Sequence, residues 1–236
     1  MNFDSEESYR RAQRAAVNQL RSLFASGSAL DSTVKPVPDY TNDLRLCLTA
    51  VAFVGNYFAN DANLNNLIES LRAVEPWQYF YPPESLHITI QNVQTIDEPP
   101  KFDERKIQLA RSIFERIIPQ HKTLEFETEG LLVTPSSSAL VAFADSSILP
   151  LTRSLRKALT EAQIPDDKHY ISDEVVFGNI TFCRFTRNPG SKFRELLDAF
   201  IGSKIYIRTN EIHLVSTNSV CHRPLTSIHG QFHLSD

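Results

Sequence analysis

Two patterns of apolar positions alternate along the chain and together predict a mixed α+β fold. Apolar residues that recur every three or four positions indicate amphipathic helices, whereas short apolar stretches between turn signals indicate strands. The pattern predicts helices over residues 4–26, 61–74, 103–118, 148–162 and 191–201. It predicts strands over residues 44–54, 86–93, 124–133, 139–143, 175–185, 205–216 and 228–234, and an extended aromatic segment over residues 77–81.

The order of these elements predicts a division of the chain into a short N-terminal part and one main domain. Residues 1–42 are predicted to form an N-terminal helix and, over residues 28–42, a linker rich in Ser, Asp and Pro. In residues 43–236 each half carries two helices. We therefore expect an α+β domain of two pseudo-symmetric lobes, each an antiparallel sheet with helices on the outside, around a central cleft.

Composition narrows the class of protein. The chain has 236 residues, 42% of them hydrophobic, and a net charge of −4, so a packed core is expected and a broad nucleic-acid-binding surface is not. Three cysteines fit a reducing compartment better than a disulfide framework. The N-terminus is charged and polar, and the longest apolar run (residues 46–54) is too short to cross a membrane. These features predict a cytoplasmic location without membrane association.

Two predicted strand segments carry the candidate chemistry. One contains His87-Ile88-Thr89, and the other contains Asn179-Ile180-Thr181. Residues two apart in a strand point to the same face, so each segment presents a polar pair: His87 with Thr89, and Asn179 with Thr181. An imidazole beside a hydroxyl suits acid–base chemistry on a phosphate without metal. The seven glycines are widely spaced, which excludes a dinucleotide fingerprint and a P-loop.

The two segments and their surroundings resemble the two-histidine (2H) phosphoesterase superfamily, which includes 2′–5′ RNA ligase-like proteins and cyclic nucleotide phosphodiesterases. The resemblance rests on residues 77–93 with their Pro-rich lead-in, on residues 176–184 with the arginine that follows the motif, and on residues 210–216. It covers residues 43–236 and leaves the N-terminal helix unexplained. It implies a two-lobed fold and chemistry that needs no metal or other cofactor.

The resemblance assigns roles to the motif residues. Thr89 and Thr181 match the hydroxyls that bind phosphate oxygens in the family, and His87 matches one of its two proton-transfer histidines. Asn179 stands where the family has the other histidine. An amide can orient a phosphate but cannot shuttle a proton, and the loss of one acid–base group costs about 10²- to 10⁴-fold in rate.

Several other side chains are weaker candidates. Arg184 follows the second motif and is predicted either to bind phosphate or to lie on the surface. Tyr81, within the aromatic run 77–81, either stacks a nucleobase or fills the core. His169 and His233 are minor candidates to replace the missing imidazole, and His213 lacks a hydroxyl partner at the required spacing. A metal site built from Cys221, His222, His229 and His233 is disfavoured by spacing.

Three functions remain open from the sequence. The first is a metal-independent phosphodiesterase-like protein, with attenuated activity, acting on 2′,3′-cyclic phosphate or on 2′–5′-linked nucleotides or RNA ends. The second is a catalytically inactive protein with a degenerate active site that binds a phosphate-containing small molecule or RNA end. The third is an unrelated α+β interaction domain. The exact substrate and the oligomeric state are left open by the sequence.

Overall fold

Two antiparallel sheets and the helices packed on them make up the computed structural model, which describes residues 3–26 and 34–236. The α-helices are α1 (Glu6–Ala25), α2 (Ala62–Val74), α3 (Glu104–Ile117), α4 (Ile148–Glu161) and α5 (Ser191–Asp198). The strands are β1 (Leu46–Phe53), β2 (Tyr79–Phe80), β3 (His87–Asp97), β4 (Leu124–Thr134), β5 (Ser137–Ala144), β6 (Gly178–Arg184), β7 (Tyr206–Thr209), β8 (Glu211–Thr217) and β9 (Ser227–His233).

Each sheet contains one of the two motif strands. The first sheet has the strand order β3-β1-β8-β9, and the second has the order β2-β6-β5-β4-β7. The predicted fold class of two antiparallel lobes is therefore confirmed. The lobes are not consecutive halves of the chain, however, because β8 and β9 return to the first sheet and β2 pairs with β6 in the second.

The prediction of one strand over residues 205–216 was wrong. This segment forms β7 and β8, which belong to different sheets and are separated by Asn210. At this point the Thr209 hydroxyl donates to the Glu211 carbonyl and accepts from the Glu211 backbone N–H. The apolar pattern is continuous across the break, so periodicity alone does not show where the chain changes sheets.

The N-terminal helix is integrated into the domain. Ser5 and Ser8 form a reciprocal cap at its start, each hydroxyl accepting from the other residue's backbone N–H. Tyr9 is fully buried; its hydroxyl donates to the Val176 carbonyl at 2.7 Å and accepts from the Val176 N–H at 3.1 Å. The Gln13 amide donates to the same carbonyl at 2.6 Å. These bonds fix α1 to the segment that leads into β6.

The apolar side of α1 lies on the second sheet. It forms a small separate core with side chains of β4 and β5: Val17, Leu20, Leu132, Val141 and Phe143. Val141 is paired with Asn179 across the β5–β6 ladder, so α1 covers the face of the sheet that carries the second motif.

The predicted linker, residues 28–42, is described from residue 34 onwards, and this part is hydrogen-bonded to the domain. Residues 27–33 lie outside the described residues. Further along, Tyr40 is buried and its hydroxyl donates to the Phe185 carbonyl at 3.0 Å. The Asn218 amide in turn donates to the Tyr40 carbonyl at 2.8 Å.

The two sheets approach each other closely at the motif strands. A Cβ atom built on Gly178 would lie 2.7 Å from Cγ2 of Ile88, which is closer than real Cβ atoms come to other heavy atoms. Ile88 lies between His87 and Thr89 and is fully buried, and its β-branched side chain has little rotamer freedom. Glycine at position 178 therefore sets the distance between the two motifs.

We expect Gly178→Ala to lower the free energy of unfolding by about 1–3 kcal/mol, because the added methyl group forces Ile88 or the backbone to move. Chemical denaturation of the purified protein measures this change. In Gly178→Ala/Ile88→Ala the destabilisation should be smaller than the sum of the two single effects. Strictly additive changes in the free energy of unfolding would show that positions 178 and 88 are not energetically coupled.

Candidate functional site

Residues of both motif strands line a cavity of about 240 Å³. Thr89 reaches it from β3, while Asn179 and Thr181 reach it from β6, and Arg184 at the end of β6 also lines it. Asn179 is exposed to the cavity, whereas Thr181 is nearly buried. The alternation of side chains along each strand thus brings three of the four motif residues to one space, whereas the sequence predicts a cleft lined by all four.

His87 lies beside this cavity but does not line it. Its Nδ1 atom is 2.7 Å from the carbonyl oxygen of Ser85, which can only accept, so Nδ1 carries the proton. Nε2 is left as the acceptor and faces Sγ of Cys221 at 3.7 Å. Burial raises the pKa of the Cys221 thiol to about 12, which keeps the thiol protonated.

The surroundings of His87 favour its neutral form. Its ring packs near the rings of Tyr81 and Phe53, with centroid distances of 6.3 and 6.4 Å. Burial lowers the pKa of His87; the Ser85 carbonyl opposes this effect, and the positive charges of Arg184 and Lys168 add to it. A neutral imidazole with a free Nε2 lone pair is the form that accepts a proton.

Arg184 is held beside the cavity by long hydrogen bonds. Its guanidinium donates to the Tyr81 hydroxyl at 3.3 Å, to the Ser136 hydroxyl at 3.4 Å and to the Ser219 carbonyl at 3.4 Å. All three acceptors are neutral. Tyr81 is buried and does not line the cavity; its hydroxyl donates to the Ser219 carbonyl at 3.0 Å and accepts from Arg184.

Lys168 is a further cavity residue that the sequence reasoning missed. The loop before it is fixed to β3 by the carboxylate of Asp166, which accepts from the Gln91 amide at 2.6 Å and the Asn92 amide at 2.7 Å. The carboxylate of Asp167 accepts from the Thr95 backbone N–H at 2.6 Å. This loop follows no periodic pattern, and only the three consecutive charged residues mark it in the sequence.

The alternative histidines lie in different places. His169 lines the cavity, next to Lys168. The Nε2 atom of His213 lies 3.0 Å from a Glu211 carboxylate oxygen, and its ring packs near Phe53. His233 is exposed and lies outside the cavity lining. Across the described part of the chain, no cluster of His, Cys, Asp or Glu is arranged to hold a metal ion.

The outer wall of the cavity is apolar and comes largely from outside the motif strands. Leu20 and Phe24 of α1 contribute to it, together with Val34, Ile171 and Phe177. A larger groove of about 820 Å³ lies between the end of α1 and α5. That groove contains none of the four motif residues, so we place the site in the smaller cavity.

We expect His87 to titrate below the ordinary imidazole pKa of about 6.5. In Lys168→Gln its pKa should rise, because one of the two positive charges that disfavour the imidazolium is removed. NMR titration of the imidazole C–H signals measures both values. Lys157→Gln, at an exposed lysine of α4, serves as the control; identical His87 titrations in wild type and Lys168→Gln would contradict the proposed proximity.

Comparison with known proteins finds matches among solved structures. No family model matches the sequence, and no curated protein does either. The structure of E. coli LigT complexed with 3′-AMP matches 81% of this chain and 98% of its own, with a TM-score of 0.50 at 11% identity. TT0787 of Thermus thermophilus matches 80% and 97%, with a TM-score of 0.49 at 15% identity. Kluyveromyces marxianus Usb1 matches 80% and 96%, with a TM-score of 0.42 at 11% identity.

These solved structures are members of the 2H phosphoesterase superfamily. The match to LigT covers most of both chains, and at 11% identity it concerns the fold. In the part of the chain that is described, no helix is both long and apolar enough to cross a membrane. The chain has the fold of the two-histidine phosphoesterases.

Proposed function

We propose that the protein is a metal-independent phosphodiesterase that acts on 2′,3′-cyclic phosphates or on 2′–5′-linked nucleotides or RNA ends. The observation that carries this proposal is the meeting of Thr89 and Thr181 with Arg184 in one cavity, beside a neutral His87. LigT, which shares the fold, has been solved with 3′-AMP, a small phosphate-containing ligand.

Each polar group has a role in the proposed reaction. The hydroxyls of Thr89 and Thr181 donate hydrogen bonds to the phosphate oxygens, and Asn179 orients the phosphate through its amide. Arg184 balances the negative charge of the phosphate. Its guanidinium has five N–H groups, and those not engaged in its three long hydrogen bonds can donate to the phosphate oxygens.

His87 is the proposed general base. Its Nε2 atom takes a proton from the attacking water as the water oxygen bonds to phosphorus, and a P–O bond to the ribose then breaks. For water to reach Nε2, the Cys221 thiol has to turn away from its present position 3.7 Å from this atom. The leaving ribose oxygen takes its proton from solvent water, because the Asn179 amide cannot supply one, and we therefore expect attenuated activity.

The second candidate function is binding without turnover. Two observations favour it: the amide at position 179, and the thiol of Cys221 facing the acceptor nitrogen of His87. The phosphate-binding hydroxyls and the cation of Arg184 do not depend on either feature. A protein of this kind would hold a phosphate-containing ligand or RNA end unchanged.

We expect the wild-type protein to hydrolyse 2′,3′-cyclic AMP in the presence of EDTA, and His87→Ala to lower the rate by about 10²- to 10⁴-fold. Chromatography of the 2′- and 3′-AMP products measures the rate. Because the pKa of His87 is lowered, the rate should stay high below the ordinary imidazole pKa and fall as the base is protonated. His121→Ala, outside the cavity lining, is the matched control; an unchanged rate in His87→Ala would exclude the mechanism.

We expect Asn179→His to raise the rate of the same reaction, since an imidazole at this position can protonate the leaving oxygen. The exposed side chain of Asn179 leaves room for the replacement. Asn179→Gln keeps the amide and controls for side-chain size. If wild type is inert and Asn179→His gains activity, binding without turnover is the function; if both are inert and neither binds nucleotide, the proposal fails.

A further inference from the structure

The cavity carries an unbalanced positive charge. Three of the residues that line it have positively charged side chains: Arg156, Lys168 and Arg184. Among the described residues that line it there is no Asp and no Glu. Since burial of an unpaired charge is unfavourable, a cavity of this composition needs an anion.

Lys168 has no carboxylate partner in the described part of the chain. None of the salt bridges there involves it. Its neighbour Asp166 is occupied by neutral donors, which include the Tyr170 hydroxyl at 2.6 Å and the Lys168 backbone N–H at 2.9 Å. Burial lowers the pKa of the Lys168 ammonium; Asp166 opposes this effect and Arg184 adds to it.

The two arginines are also incompletely satisfied. Arg184 forms no salt bridge with a described residue and bonds only to neutral oxygens at 3.3–3.4 Å. The Nε atom of Arg156 is buried without a hydrogen-bond partner among the described residues. Its nearest carboxylate, that of Asp173, lies 3.8 Å away and is 92% exposed, so it neutralises little of the charge.

Lys168 and His87 approach Thr89 from different ends of β3. His87 precedes Thr89, whereas the loop that carries Lys168 is bonded to residues that follow it, Gln91 and Asn92. Thr89 and Lys168 line the same cavity, so a phosphate bound to the Thr89 hydroxyl would share this space with the Lys168 ammonium. Ser137 and Thr181 supply further hydroxyls around the same space.

A count of charges distinguishes the phosphate classes that could occupy the cavity. A phosphodiester, cyclic or linear, carries one negative charge. A terminal phosphomonoester carries close to two at pH 7, because its second pKa is about 6. Of the three cations that line the cavity, a monoanion balances one and a dianion balances two, so the dianion leaves less positive charge uncompensated.

We propose that the cavity is a receptor for a terminal phosphate dianion, the phosphomonoester end of a nucleotide or RNA, with Lys168 and Arg184 as its two cations. This inference rests on the proposed function to the extent that both place a phosphate against Thr89 and Thr181. It adds that the product of a cyclic phosphodiesterase, a monoester, is bound more tightly than its substrate.

The test compares two ligands that differ by one charge: 2′-deoxyadenosine 3′-monophosphate and its methyl ester. Neither has a 2′-hydroxyl, so neither can form a 2′,3′-cyclic phosphate during the measurement. By isothermal titration calorimetry at pH 7.5 we expect the monoester to bind about 10- to 100-fold more tightly, because its second negative charge adds one charge-assisted hydrogen bond.

Substitutions at Lys168 identify the residue responsible. Lys168→Gln should reduce the preference for the monoester about 10-fold, and Lys168→Arg, which retains the charge, should preserve most of it. Lys157→Gln, at an exposed lysine in an ion pair with Glu161, should leave it unchanged.

The outcomes separate this inference from the proposed function. Equal affinity for the two ligands, or an unchanged preference in Lys168→Gln, would overturn the dianion receptor while the phosphodiesterase proposal stands. Failure of both ligands to bind would overturn the dianion receptor, and together with no hydrolysis of 2′,3′-cyclic AMP it would overturn both. Tight monoester binding without any hydrolysis of 2′,3′-cyclic AMP would support the receptor and reject the phosphodiesterase.

Discussion

The contact between Gly178 and Ile88 is the constraint on which the site depends. The motif strands belong to different sheets, and no ladder of hydrogen bonds joins them directly, so side-chain packing contributes to their separation. Because Ile88 and Gly178 alternate with the polar residues of their strands, their close packing on one side brings Thr89 and Thr181 together on the other. The distance across the cavity thus follows from the absence of one Cβ atom.

The cavity also shows a conflict between stability and binding. Desolvating Lys168 and Arg184 without carboxylate partners costs free energy that an apolar or paired alternative would not cost. The network around Asp166 holds the Lys168 loop in place despite this cost, with donors from β3 and from Tyr170. Sites in which unbalanced charge is maintained by a well-bonded surrounding shell are typical of ligand recognition.

The sequence predicts most of the fold, because the helices and strands follow strong apolar periodicity. It also predicts that Thr89 and Thr181 lie near each other, since the repeated motif suggests paired strands. It does not predict the break at Asn210, where the apolar pattern continues through a change of sheet. Nor does it predict Lys168 or Arg156, because a loop and a helix bring them to the cavity through tertiary contacts that no local spacing encodes.

The polar and the apolar parts of the cavity wall come from different segments of the chain. The motif residues that would meet a phosphate lie on β3 and β6, whose positions are fixed within the two sheets. The apolar part includes Leu20 and Phe24 of α1, a helix that Tyr9 and Gln13 bond to the domain and that packs on the second sheet. Substitutions at the residues that would contact the base or sugar of a ligand therefore need not disturb those that would contact its phosphate. Paralogous proteins could then share one chemistry and differ in the nucleotides that they recognise.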